Sequence, residues 1–179
     1  MKPLRKWRLT MSKQIYIGID NGLDGALAAN MNGKIISRTT MLTVMDGVRR
    51  KVDVKGVRNW IRKQMIWTKN ICVVIEKPCG SKNAYAAKSM ADSFARIESC
   101  VILDDLKYYD ISAISWQRHF WKKPKMPKSK KFDTKAAAIT VAMKIWPNTD
   151  WRANDRCRKP HDGIVDAALI AEYARLKKL

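Results

Sequence analysis

Acidic residues are scarce in this 179-residue chain: 16 Asp and Glu stand against 36 Lys and Arg, a formal charge of +20. Histidine is scarcer, with 2 residues, and the 4 cysteines, Cys72, Cys79, Cys100 and Cys157, include no C-x-x-C pair. With His119 and His161 they complete no regular zinc spacing, so they read as free thiols, as expected of a protein in a reducing cytoplasm. Long apolar runs are missing as well. Nothing approaches the ~20 residues that a membrane-spanning helix needs. The opening MKPLRKWRLT is basic without an apolar stretch, which excludes reading it as a secretory signal.

An apolar fraction of 46% is too high for a wholly disordered basic tail. Residues 14–179 are expected to form one domain with a real core, behind a disordered basic arm at 1–13 in which Met11 is an alternative start. A charge of +20 exceeds what solubility requires. It points to a polyanionic partner, DNA or RNA first and an acidic membrane surface second.

Periodicity predicts the elements. Residues 15–19 read as a β-rich strand that ends in the turn-rich Asp20-Asn21-Gly22-Leu23-Asp24-Gly25. Residues 26–30 and 34–40 flank the hairpin signal Asn32-Gly33, which gives a three-stranded antiparallel meander. Asp53 is a plausible N-cap for a helix carrying Val57, Trp60, Ile61 and Met65. Residues 71–75 are wholly apolar, as a buried central strand should be. A helix from about Asn83 places Ala87, Met90, Ala91, Phe94 and Ile97 on one face. A fifth strand over 107–111 and a short helix over 112–120 follow. The lysine-rich, proline-broken 121–131 reads as a loop. Asp133 or Thr134 caps a helix with Ala138, Val141, Ala142 and Ile145 inward, and a final helix over 161–179 carries Val165, Leu169 and Leu176. The expected fold is α/β: a mixed five-stranded sheet, an antiparallel meander plus parallel crossover strands, flanked by helices. This is also the element order of the ribonuclease H type.

Against so basic a background, a few acids stand at element ends. Asp20 and Glu76 each close an apolar strand, and Asp162 and Asp166 share a face of the last helix at four-residue spacing. Converging carboxylates repel one another and need cations or protons to be stable together. Hard oxygen donors suit Mg²⁺ or Mn²⁺, and two such ions ~3.5–4 Å apart are the arrangement used for in-line phosphodiester cleavage. Blander roles exist for each acid. Asp20 before Asn-Gly is a common turn residue. Glu76 is a strand-end acid with Lys77 beside it, and Asp162 suits a helix N-terminus. Asp166 is the hardest to dismiss, one turn inside a helix amid Ile164, Val165, Ala167, Ala168 and Leu169. Asp24, Asp104 and Asp105 read as turn acids.

Ile17-Gly18-Ile19-Asp20-Asn21-Gly22, Val73-Val74-Ile75-Glu76-Lys77-Pro78 and His161-Asp162-Gly163-Ile164-Val165-Asp166-Ala167-Ala168-Leu169 resemble the three acidic motifs of RuvC-type Holliday junction resolvases. Ser81-Lys82-Asn83-Ala84 and residues 132–146 are similar to further family segments, so the resemblance spans about 14–175. The compact basic chain looks more like the phage-encoded branch, which would act in a bacterial host cytoplasm. The resemblance implies metal-binding roles for Asp20, Glu76 and Asp166. It implies the fourth acidic role for Asp162, with His161 as the alternative, because the place three residues before the last Asp holds Gly163. Lys135 resembles a basic residue near the scissile phosphate; a solvated lysine beside an N-cap is the equal alternative. The aromatic wedge some relatives carry after the Glu is missing near Cys79, and Tyr85 is a speculative replacement.

The resemblance further implies a homodimer that nicks two strands of a four-way junction symmetrically, with two Mg²⁺ ions (or Mn²⁺) per site, leaving 5′-phosphate and 3′-hydroxyl ends. Lys77, Lys82, Lys88, Lys122, Lys123, Lys125, Lys128, Lys130 and Lys131 are the candidates for holding DNA phosphates. Trp116, Trp121 and Trp151 stand near them and either stack on DNA or, more commonly for tryptophan, pack. Three rival readings remain. The first strand and turn also resemble the phosphate loop of actin-like kinases, although 179 residues are few for two such domains. Another ribonuclease H-like nuclease acting on RNA–DNA hybrid, flap or branched DNA shares the metal chemistry. A non-catalytic DNA-architectural protein shares the charge.

Overall fold

The computed structural model describes residues 14–80, 83–125 and 132–179. The basic arm at 1–13 and the candidate phosphate ligands Lys82, Lys128, Lys130 and Lys131 lie outside the described residues. In chain order the elements are β1 (Ile15–Asp20), β2 (Ala26–Met31), β3 (Lys34–Thr40), β4 (Thr43–Asp46), β5 (Arg49–Val52), α1 (Val54–Gln64), β6 (Ile71–Glu76), α2 (Ala84–Ile102), β7 (Lys107–Ile111), α3 (Ala113–Phe120), α4 (Thr134–Ile145) and α5 (Asp162–Lys177). The main sheet runs β3-β2-β1-β6-β7. Its β1–β2 and β2–β3 pairings are antiparallel, and β1–β6 and β6–β7 are parallel. The expected meander and crossovers are therefore both present.

Strand alternation sorts the core into two layers. Ile15, Ile17, Ile19, Ile71, Val73 and Ile75 pack with Val57 and Ile61 of α1 and Ile97 and Val101 of α2. Tyr16, Cys72 and Val74 pack on the other face, with Trp116 of α3, Ala138 and Ala142 of α4, and the small-residue body of α5. A Cβ on Gly18 would lie 2.1 Å from the Ala167 carbonyl oxygen and 2.5 Å from the Ala171 nitrogen. Only glycine lets α5 rest its backbone on β1.

Helix starts fall where the sequence placed them. Asn83, Ser112, Asp133 and His161 each accept a first-turn backbone N–H, whereas Asp53 occupies an N-cap position without a side-chain cap bond. Three inward assignments fail. Leu176 is 45% exposed, Ile145 is 36% exposed, and Ala91 lies on the outer face of α2. Ile145 and Leu176 stand in the last turn of their helices, where the periodic stripe runs on without a partner, and Ala91 stands on the exposed side of α2. The β4–β5 hairpin was not expected from the sequence. Its Asp46↔Arg49 register leaves a two-residue Gly47-Val48 loop, with Gly47 at φ +59° as a primed hairpin turn requires. All four cysteines are free, with Cys72 and Cys100 buried. Among the described residues, no helix is long and apolar enough to cross a membrane.

Candidate active site

The two central strands deliver their last residues to the same side. The parallel register pairs Gly18 with Val74 and Ile19 with Ile75. Asp20 and Glu76 each follow the last paired residue and alternate onto the face covered by α5. The Asn21 side chain, itself buried, donates to the Glu76 carbonyl oxygen at 2.7 Å and ties the two strand ends together. Because the Ala167 carbonyl sits over Gly18, the preceding residue, Asp166, is carried over the end of β1.

An open cleft of about 520 Å³ lies here, lined by Asp20, Asp24, Lys135, His161, Asp162 and Asp166, with the Gly22–Gly25 turn as one wall. The Asp20 carboxylate accepts the Gly22 N–H at 3.4 Å. Lys135, on the first turn of α4, donates to Asp162 Oδ2 at 2.6 Å. Asp24, read from the sequence as a turn acid, is ion-paired with Arg50 of β5. Asp104 binds Arg58 and Arg62, away from the cleft.

Electrostatics couple the central acids. Burial pushes Asp166 up to about 8, and the charges of Asp20, Glu76 and Asp162 push in the same direction, with Lys135 opposing. Burial pushes Glu76 up to about 7; the Trp116 hydrogen bond lowers it and the Asp20 charge raises it. Asp20 is also raised, chiefly by burial, against the Gly22 N–H, His161 and Lys135. All three carboxyls therefore hold protons above the usual carboxylate range, Asp166 and Glu76 furthest.

Sequence reasoning missed two contributors. Trp116 is fully buried, and its Nε1 donates to Glu76 Oε2 at 2.7 Å. It was weighed only as a DNA-stacking or packing residue, and nothing in its local sequence signals a partner 40 positions away. Asn21 was quoted only as part of a motif. Trp151 is buried in the core and Trp121 is half-buried, which is the packing role. Lys77 is ion-paired with Asp110, while Lys88, Lys122, Lys123 and Lys125 are exposed. Tyr85 is 68% exposed at the start of α2.

The fourth position has a physical explanation. A Cβ on Gly163 would stand 2.8 Å from the Gly25 carbonyl carbon, 2.9 Å from its Cα and 3.0 Å from the Asp24 oxygen. Backbone meets backbone there, so position 163 has no room for a carboxylate. Asp162, one residue earlier, lines the cleft instead. His161 also lines it, but its Nδ1 accepts the Ile164 N–H at 3.3 Å and is committed to capping α5.

Among the described residues, no three His, Cys, Asp or Glu side chains stand as a ready metal-binding group. The donor chemistry nonetheless fits a hard divalent cation: every central acid is a carboxylate, and three of them resist carrying charge without compensation.

A mixed sheet in this strand order, with α5 packed on β1 and β2, is the ribonuclease H-like fold. Within that class the chain is similar to RuvC of Thermus thermophilus. The structure in complex with a Holliday junction substrate matches with a TM-score of 0.56 at 9% identity, covering 92% of this chain and 94% of that one. A second Thermus thermophilus RuvC structure matches with a TM-score of 0.51 at 10% identity, covering 92% and 97%. A Fowlpox virus resolvase in complex with Holliday junction DNA has a TM-score of 0.49 at 15% identity, covering 93% and 99%. No protein-family model and no curated protein matches the sequence.

Proposed function

We propose that this protein is a structure-selective endodeoxyribonuclease that resolves four-way DNA junctions by metal-dependent phosphodiester hydrolysis, leaving 5′-phosphate and 3′-hydroxyl ends. One observation carries the reading: in a chain of charge +20, Asp20, Glu76 and Asp166 repel one another at the shared end of the two central strands. An uncompensated acidic cluster is a cost that a purely DNA-architectural protein has no reason to bear. The whole-length likeness in fold to RuvC, solved with a Holliday junction substrate, agrees with it.

Asp20, Glu76 and Asp166, with Asp162, are the residues that would hold Mg²⁺ or Mn²⁺. When bound, such ions polarise the phosphate and make water a stronger nucleophile. The chain's own groups have definable tasks. Trp116 orients Glu76 and keeps one of its oxygens from turning away. Lys135 balances the negative charge of Asp162 and is near enough to Asp166 to oppose its pKa rise. In this reading it turns toward the scissile phosphate as charge builds there. Symmetric cutting requires two sites, hence a homodimer, which sedimentation would detect.

The test is incubation of purified protein with a synthetic mobile four-way junction, in Mg²⁺, Mn²⁺ or EDTA, beside RNA–DNA hybrid, flap and linear duplex. Paired nicks in the junction that need the cation, and that vanish in Asp20→Asn and Asp166→Asn, support the reading. Preferential cleavage of hybrid or flap would assign another ribonuclease H-like activity. DNA binding with no cleavage of any substrate would sink the nuclease reading in favour of the architectural one.

A further inference from the structure

At the end of the sheet opposite the acids, large apolar side chains stand in solvent. β6 and β7 run parallel with Cys72 beside Lys107, so the segments that lead into them enter the sheet side by side. Ile66 and Trp67, ahead of β6, are 83% and 60% exposed; Ile102 and Leu103, ahead of β7, are 58% and 61% exposed. The two segments are clamped together. Arg58 donates to the Leu103 carbonyl oxygen at 3.1 Å, and Arg62, one turn on, pairs at 2.7 Å with the almost wholly buried Asp104 side chain. Met65 keeps helical backbone angles, so Ile66, four positions after Arg62, continues the row that meets this clamp. The rim is basic. Lys63 and Lys69 are exposed and have no ion-pair partner among the described residues, while Asp105 is the exposed acid of the same turn as Leu103. The six residues of β6 put about 20 Å between this surface and Glu76.

We propose that this surface docks an acidic, amphipathic segment of another protein, its apolar side chains on Ile66, Trp67, Ile102 and Leu103 and its carboxylates on Lys63 and Lys69. The proposal does not depend on what the cleft does. Grouped apolar side chains with a polar rim are the make-up of a protein interface, and tryptophan is a common anchor in one. Charge selects the occupant. A second copy, docked through the same surface, would bring Lys63 and Lys69 toward their own counterparts. Residues 1–13, which lead into β1 at this same end, contain Lys2, Arg5, Lys6, Arg8 and Lys13 and no acid, so they carry the wrong sign too. DNA phosphates gain nothing from four apolar side chains. An anionic membrane presents its charge everywhere and would set it against Asp105, whereas a peptide can place its acids over the lysines alone. A partner seated here leaves the Asp20, Glu76 and Asp166 end of the sheet open.

The experiment titrates the full chain in EDTA with a labelled synthetic peptide of about four helical turns, with Leu and Phe along one face and Asp and Glu on the other. A scrambled peptide of the same composition and an oligoglutamate of equal charge run beside it. Fluorescence anisotropy reads affinity, and amide chemical shifts of isotope-labelled protein read location. The amphipathic peptide should bind about tenfold or more tighter than either control and shift amides at 62–70 and 101–107. Trp67→Ser/Leu103→Ser should cost about tenfold or more, as loss of an interface anchor implies. Both side chains are exposed, so that variant should keep the wild-type Tm. Lys63→Glu/Lys69→Glu should also weaken binding, and Lys122→Glu/Lys123→Glu, the same charge change outside this surface, should cost much less. Equal affinity for the three peptides, amide shifts elsewhere, or equal losses in the two lysine variants would each overturn the proposal. So would two further results: loss by Trp67→Ser/Leu103→Ser of binding to phosphatidylcholine–phosphatidylserine vesicles but not to the peptide, which assigns the surface to a membrane, or loss of self-association in sedimentation with peptide binding intact, which assigns it to a second copy. Cleavage or its absence in the wild type moves none of these readouts.

Discussion

At the scale of single residues, burial in company sets the chemistry. Asp166 at about 8 and Glu76 at about 7 bind protons in the folded protein that the unfolded chain releases near pH 4. The folded state thus binds more protons between these values, and stability falls as pH rises from about 4 to about 8 in the absence of divalent cations. Asp166→Asn removes the most strongly raised group. Thermal denaturation in EDTA at pH 8 should show a Tm higher by roughly 2–8 °C, from about 1–2 kcal/mol at ~2–4 °C per kcal/mol, and a flatter dependence on pH. Trp116→Phe keeps the packed ring but deletes the N–H that favours ionised Glu76. The Glu76 pKa should rise, moving the acid limb of a cleavage pH–rate profile upward by about 1–2 units, as loss of one charge-assisted hydrogen bond implies. The acids themselves were legible in the sequence because each interrupts an apolar run in a chain poor in acid. Trp116 was not, because its partnership with Glu76 exists only after α3 packs on the end of β6.

Among the elements, α5 is the one on which the site depends. Its first turn meets the Gly22–Gly25 turn backbone to backbone at Gly163, and its second meets β1 at Gly18. Gly163→Ala should therefore destabilise the fold by about 1–3 kcal/mol in urea titration, an overpacking cost against main chain that cannot move aside. It should also lower junction cleavage by displacing Asp162 and Asp166 from Asp20. Gly163→Asp, which restores a carboxylate at that place, should fare worse, not better. Periodicity found α5, its cap and its acids, because small and apolar residues repeat through it. The β4–β5 hairpin escaped notice because Thr43–Asp46 and Arg49–Val52 are four residues each with no apolar alternation: Val44 and Met45 are adjacent and exposed, and of the two strands only Val52 is buried. The Gly47-Val48 loop was its one local signal. The inward assignments of Ile145 and Leu176 failed for a related reason: a helical stripe says which side could be buried, not how far along the helix a neighbour extends.

For the whole molecule, charge governs encounter and topology governs placement. If about 6–10 phosphates are contacted, DNA affinity should drop by roughly 10³–10⁵ between 50 and 200 mM salt, measurable by anisotropy, with little dependence on base sequence. The mixed sheet with helices on its faces followed from alternation and element order, while the full strand order and the meeting of Trp116 with Glu76 needed coordinates. Asp20 and Glu76 reach one side of the sheet because each stands an even number of positions from Tyr16 and Cys72, which face that side too. Parity is therefore a constraint on this architecture. Losing or gaining one residue inside β1 or β6 would invert everything downstream to the end of the strand and send its acid toward α1 and α2. Two residues would preserve orientation and merely lengthen the reach. Chains built on this plan should accordingly vary in length at the hairpin and the loops, and hold those two strands to a fixed count.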